Sequence, residues 1–154
     1  MKLRMTKLAE EHFLVCLKHS TWGSNASRFG PWRLGDGLAF LVETNIAGLA
    51  EVAGSPYLDD APIWNNGLFP YRVPIRFLRA IRSENRPSVL GPISQALRSL
   101  NSRGNYGSYI ASLAVLPEHA TRLVLETIES HPNDLLHIYE EVDSLIFEAR
   151  AARK

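Results

Sequence analysis

Apolar positions in this chain come mostly in short runs cut by turn residues, followed by longer helical stretches near the end. His12-Phe13-Leu14-Val15-Cys16-Leu17 is nearly unbroken, has strand length and reads as a buried strand. Residues 20–25 read as a turn that can open a short helix. Leu34-Gly35-Asp36-Gly37 is a tight turn, and Leu38-Ala39-Phe40-Leu41-Val42 is the strand after it. Asn45 reverses the chain into an apolar segment over 46–52, so 38–52 is a predicted hairpin. Gly48 within it permits a close backbone approach. Residues 55–68 carry Pro, Asp, Asn and Gly and read as loop. From 71 to 77 the pattern alternates, with Tyr71, Val73, Ile75 and Phe77 on one face and Arg72, Pro74 and Arg76 on the other. Pro74 argues for an edge strand or a bulge at that point.

Helical spacing begins later. Val89, Ile93, Ala96, Leu97 and Leu100 share a helix face, with Pro92 in its early turn. Residues 101–108 form a polar, Gly-containing loop, and 109–113 a short strand or helical turn. Pro117-Glu118 opens a helix to about Ile128, and His131-Pro132-Asn133 ends it. A last helix over 134–152 carries Leu135, Ile138, Val142, Leu145, Ile146 and Ala149 as an apolar stripe. Short strands with a few helices indicate an α+β fold, a small β barrel or strongly bent sheet decorated with helices.

Composition narrows the class. The chain has 154 residues, 45% of them hydrophobic, and a formal net charge of +1, as expected for one globular domain with a terminal appendage. No apolar run has the length of a membrane span. The basic start lacks the apolar segment of a secretory signal, because His12, Cys16 and Lys18 interrupt it. One cysteine, Cys16, forms no internal disulfide and suits a reducing, cytoplasmic setting. The near-neutral total hides an asymmetry. Up to Val115 there are 13 basic residues against 8 acidic ones, and beyond it the balance reverses. A basic body is compatible with a polyanion.

Enzyme signatures are lacking. Gly35-Asp36-Gly37 is no phosphate loop, the five His residues have no metal-ligand spacing, and there is no Gly-x-Ser-x-Gly elbow. Asp59-Asp60 reads as a turn pair, and Cys16 with His19 is a poor dyad because nothing nearby depresses the thiol pKa. The chain therefore reads as a binder that needs no cofactor or metal. Two Trp residues stand out in polar loops, Trp22 in Thr21-Trp22-Gly23-Ser24-Asn25 and Trp64 in Pro62-Ile63-Trp64-Asn65-Asn66. Each either packs beneath its loop or waits for a flat ligand, which gains about 1–3 kcal/mol per stacked aromatic. Ser24, Asn25, Asn65 and Asn66 supply donors and acceptors beside them. Arg72 and Arg76 share a strand face suited to phosphate. Trp32, after Phe29-Gly30-Pro31, reads as a barrel cap.

The order of these pieces resembles a known family. The Trp-Gly turn, Gly35-Asp36, the stretch Gly48-Leu49-Ala50-Glu51-Val52-Ala53-Gly54-Ser55-Pro56-Tyr57, Pro62-Ile63-Trp64 and Pro70-Tyr71-Arg72-Val73-Pro74-Ile75 are similar to the EVE domain of the PUA-like superfamily. The YTH domain is a more distant likeness. The resemblance covers about residues 11–128 and implies a PUA-like, strongly bent β barrel flanked by helices. It implies nucleic-acid binding, with a modified base held in an aromatic pocket. Carried over, Trp22 matches the first pocket aromatic and Trp64 the region of the second, and Tyr106 stands where such chains often carry another. Residues 1–130 are then the EVE-like domain and 131–154 a C-terminal helical extension outside the family's usual extent.

Two readings follow. One is a reader of a modified base, for example a methylated cytosine or adenine, in DNA or RNA, in a defence or restriction setting. The base site is then Trp22, Ser24, Asn25, Trp64, Asn65 and Tyr106, with Arg72 and Arg76 on phosphate. The other is an assembly module that acts through its C-terminal helix, on a second copy or another protein. Open space between Trp22 and Trp64 favours the first, and burial of both without a cavity favours the second.

Overall fold

The computed structural model describes residues 1–100 and 106–152. Six strands, β1 (Leu3–Leu8), β2 (Thr21–Ser24), β3 (Gly37–Val42), β4 (Asn45–Val52), β5 (Tyr57–Leu58) and β6 (Tyr71–Ala80), form one curled mixed sheet. Its order is β1-β3-β4-β6-β2, with β5 beside the start of β6. Only β1 and β3 pair in parallel. Among the described residues six α-helices surround it: α1 (Glu10–His19), α2 (Pro92–Leu100), α3 (Tyr106–Ser112), α4 (Glu118–Glu129), α5 (Leu135–Glu140) and α6 (Val142–Ala152). This is the α+β half-barrel that the strand pattern implied.

The hairpin of β3 and β4 forms as expected. Ala47 on β4 and Leu78 on β6 are the extra residues at two register shifts, which increase the local twist that curls the sheet. Alternate residues of β3 enter two cores. Leu38 and Phe40 face α1, and Ala39 and Leu41 face α2 and α4. A strand covered on both faces has no polar side to show, hence its continuous apolar sequence. At Gly48 a β-carbon would lie 3.0 Å from the Arg79 carbonyl and 3.3 Å from Phe13, so the close approach is real.

Several expectations fail. Residues 12–17 belong to helix α1, not a strand. Seven consecutive residues, Glu11 to Leu17, are buried there, so no amphipathic period survives to mark the helix. Its ends do mark it: Glu10 and Glu11 lie in the first turn and Lys18 and His19 in the last, complementing the helix dipole. Residues 21–24 are the edge strand β2 rather than a turn or helix start. Pro74 lies neither on an edge strand nor at the bulge. It sits where one side of β6 changes partner from β5 to β4, so its missing N–H falls in the gap between them. Residues 106–112 are helical, and 101–105 of the expected 101–108 loop lie outside the described residues.

The expected last helix is two helices joined at Glu141. Ile138, Val142 and Ile146 belong to the same apolar cluster as Phe13, Phe40 and Val73, and Leu135, Leu145 and Ala149 pack against it. The chain's own barrel thus covers the stripe. Arg150 pairs with Glu11 at 2.7 Å, and Lys18 with Asp143 at 2.6 Å. Packing is therefore continuous across 130/131.

Candidate functional site

The sheet order leaves β1 and β2 at opposite ends, and curling brings these ends toward each other. A cavity of about 430 Å³ opens there, lined by Thr6, Lys7 and Leu8 of β1, by Trp22, Gly23 and Ser24 of β2, and by His12, Asn25, Arg28, Asn66 and Phe69 among others. It lies where the barrel fails to close.

Two aromatic stacks flank it. In the first, Trp22 lies on Trp32 with centroids 5.5 Å apart and planes at 19°, and Phe29 stands edge-on to both. The Arg4 guanidinium sits 4.9 Å from the centroid of Trp32 and pairs with Asp36 at 2.9 Å, both side chains being buried. In the second, His12 lies on Trp64 with centroids 5.1 Å apart and planes at 25°, and Phe69 stands edge-on to both. The Arg72 guanidinium sits 5.0 Å from the Trp64 centroid. Each stack is an arginine, a tryptophan and a second ring, and that second ring lines the cavity.

Polar groups in the stacks are under-used. His12 Nδ1 lies 3.1 Å from Asn66 Oδ1, which only accepts, so Nδ1 carries the proton. Burial lowers the His12 pKa to about 4, against the raising effect of Asn66, so the ring is neutral at pH 7. Its Nε2 is left as an acceptor, and among the described residues it has no hydrogen-bond partner. Among the described residues the indole N–H of Trp22 has none either, and that of Trp64 meets only the sulfur of Cys16. Beside Trp64 lies the buried Cys16 thiol, a weak acceptor whose pKa burial raises. Unsatisfied buried polar atoms cost about 1–3 kcal/mol each. His12 and Trp22, whose rings line the cavity, each carry one such atom.

Phe69 adds strain. Its φ of +46° is unusual for a bulky residue. Its carbonyl accepts from Arg72 Nε at 3.1 Å, and Arg72 Nη2 donates to the carbonyls of Leu68, at 3.0 Å, and Ala61. Asp59 lies 3.5 Å from Nη1. Arg72, only 2% exposed, gathers the whole 59–70 loop from inside.

The sequence-predicted residues divide accordingly. Trp22, Ser24 and Asn25 line the cavity. Trp64 does not: it stands behind His12, its ring tip 2.8 Å from where a Gly23 β-carbon would be. Trp22 and Trp64 are 5% and 4% exposed, so both are buried, yet a cavity adjoins the first. Asn65 points elsewhere and accepts from Arg150 at 3.4 Å, whereas Asn66 lines the cavity. The side chain of Tyr106 lies outside the described residues. Arg72 and Arg76 do not border the cavity as expected. Arg72 is turned inward onto loop carbonyls, and Arg76 pairs with Glu51 beside a different groove, near Leu135 and Tyr139.

Sequence reasoning missed His12, Phe69, Lys7 and Arg28. Lys7 and Arg28 are exposed at the cavity rim, and among the described residues neither has a carboxylate within 4.0 Å. They come from β1 and the loop after β2, far apart in sequence, and no local motif joins them. His12 had a signal, a polar residue at the head of an apolar run, but the strand reading hid its direction.

No protein-family model matches the sequence, and no curated protein does. Solved structures do match. The YTH domain of the Zygosaccharomyces rouxii MRB1 protein, in complex with N6-methyladenosine RNA, superposes with a TM-score of 0.58 at 16% identity, over 87% of this chain and 90% of that one. The Toxoplasma CPSF4-YTH domain in apo form gives 0.60 at 13% identity, over 88% and 90%. A Pseudomonas syringae protein gives 0.53 at 14% identity, over 80% and 97%. The likeness is one of fold: the chain has the PUA-like architecture of YTH domains.

Proposed function

We propose that this protein is a non-enzymatic reader of a modified base in nucleic acid, and that the base enters the cavity between β1 and β2. The observation that carries this reading is the cavity itself, which joins aromatic walls, unspent polar groups and two cations without a carboxylate partner among the described residues, at the open seam of the barrel. Trp22, His12 and Phe69 offer apolar ring surface to a base and to an added methyl group. Ser24, Asn25 and Asn66 offer hydrogen bonds to its edge. Lys7 and Arg28 take the flanking phosphates, the role first given to Arg72 and Arg76. A base reaches such a site only from a single strand or after extrusion from a duplex. A YTH domain of the same fold in complex with N6-methyladenosine RNA supports the reading, and methylated adenine is the first base to test. A methylated cytosine in a defence setting is the next.

Titration decides it. Nine-nucleotide DNA and RNA strands with one central N6-methyladenine or 5-methylcytosine are compared with their unmodified counterparts by fluorescence anisotropy. At least a tenfold preference for one modified strand is expected. Equal affinities for all strands, or no binding, refute the proposal.

A further inference from the structure

A second cavity, of about 670 Å³, lies across the loop that follows β2. The loop is a shared wall: Asn25, Ala26 and Arg28 line the first cavity, and Ser27, Phe29 and Gly30 line the second. The far side of the second cavity is Tyr57 and Leu58 of β5, together with Tyr71 and Trp32. We propose that this cavity is a subsite for the nucleotide adjacent to the one held between β1 and β2, and that its base stacks against Tyr57. The proposal rests on the base-reading function above and goes beyond it by giving the strand a path and a minimum length.

Three observations support this occupant over a protein segment. First, ring surface is present and fixed. The Thr21 hydroxyl donates to the Val73 carbonyl at 3.2 Å, so the Tyr57 hydroxyl, 2.8 Å from Thr21 Oγ1, donates to it. This tether holds the Tyr57 ring while the residue stays 39% exposed, and Leu58 beside it is 72% exposed. Stacking platforms for single strands combine such rings with cations. Second, the charge suits a polyanion. Arg33 lines the cavity, and among the described residues its guanidinium donates only to the carbonyls of Gly30 and Trp32. Neither Arg33 nor Arg28, on the shared loop, pairs with a carboxylate among the described residues. Third, a single loop separates the two cavities, and its Phe29 packs edge-on against Trp22. Ligand in one cavity therefore touches the same wall as ligand in the other.

The test compares a short and a long ligand on the full chain. The long ligand is the nine-nucleotide strand with one N6-methyladenine or 5-methylcytosine, whichever binds more tightly, and the short one is the matching nucleoside 5′-monophosphate. Tyr57→Ala should weaken the nine-nucleotide strand about tenfold, in the range of one lost base stack, and leave the monophosphate unchanged. Tyr57→Phe, which keeps the ring without the tether, should retain most of the affinity and thereby exclude a folding defect. Full affinity of Tyr57→Ala for the long strand overturns the subsite, as does an equal loss for both ligands. If Tyr57→Ala keeps its affinity but changes how the full chain sediments, the cavity belongs to a second copy instead. Failure of the unaltered chain to bind either ligand refutes the base reader itself, a separate outcome.

Discussion

The two aromatic stacks have the same parts and differ in what holds them. Arg4 stands on a sheet strand and meets Asp36 in a tight turn whose backbone is itself tied to the sheet, Gly35 N to Val52 O and Val52 N to Asp36 O. Its stack ends in Trp22, on a strand. Arg72 also stands on a strand, but what it holds is a loop: three carbonyls at Ala61, Leu68 and Phe69, and Asp59, which is about half exposed. Its stack ends in His12, a neutral imidazole with one nitrogen unspent. The first stack is braced by the sheet and the second through a loop, so we infer that, if the cavity takes a base, the first is the fixed wall and the second the adjustable one.

The largest expected effect separates the two arginines. Arg4→Ala leaves a buried carboxylate unpaired and should cost about 3–5 kcal/mol in urea unfolding. The preference for a modified strand should persist in the molecules that remain folded. Arg72→Ala should cost about 3 kcal/mol, since its lost bonds are charge-assisted but Asp59 is already partly solvated. It should also abolish the preference, because the 59–70 loop loses its clamp. Equal consequences for binding would erase the distinction between a fixed and an adjustable wall.

His12 comes next. Its pKa of about 4 in the folded chain lies below the ordinary 6.5, so the unfolded chain takes up the proton first. The stability this neutral ring contributes is whole above pH 6.5 and is lost as the pH falls toward 4, roughly 3 kcal/mol for a depression of this size. Urea midpoints measured from pH 7 to pH 4 should show the loss, and His12→Phe should flatten it. An unchanged slope in the variant would place the titration elsewhere.

Gly23→Ala is a smaller perturbation. The new β-carbon would meet the Trp64 ring tip and the Phe69 carbonyl, each at 2.8 Å, so the adjustable wall must shift. Overpacking of this kind costs about 1–3 kcal/mol. Both the thermal midpoint and the affinity for a modified strand should fall. A gain in either would show that the contact relaxes freely. Smallest are Lys7→Ala and Arg28→Ala. Each should weaken modified and unmodified strands alike and reduce the slope of log K against log salt by about 0.7–0.9. A changed base preference at constant slope would instead place that residue on the base.

What the sequence disclosed follows from where each segment is buried. β3, β4 and β6 were legible because turn residues bracket their apolar runs, and α2 and α4 because they bury one face and open near a proline. α1 was not, because burial on all sides removes the period that separates helix from strand. At the site, Trp22, Ser24 and Asn25 were legible as a large ring with polar neighbours, although the turn assigned to them is strand β2. The inward turn of Arg72 was hidden because strand alternation assigns a face and says nothing of a loop folded over that face. Lys7, His12, Arg28 and Asn66 meet only when the sheet curls, and no spacing along the chain announces it.

Trp22 and His12 are the proposed walls of the base site. The most direct measurement is the nuclear magnetic resonance spectrum of the three indole N–H groups while a methylated strand is added. Trp22 Nε1–H is buried without a partner, so it should move most. Trp64 should follow through His12, and Trp32, the backing ring, should move least. If Trp22 stays still while resonances near Leu136 and Tyr139 shift, the strand binds at the C-terminal helices and the account is contradicted.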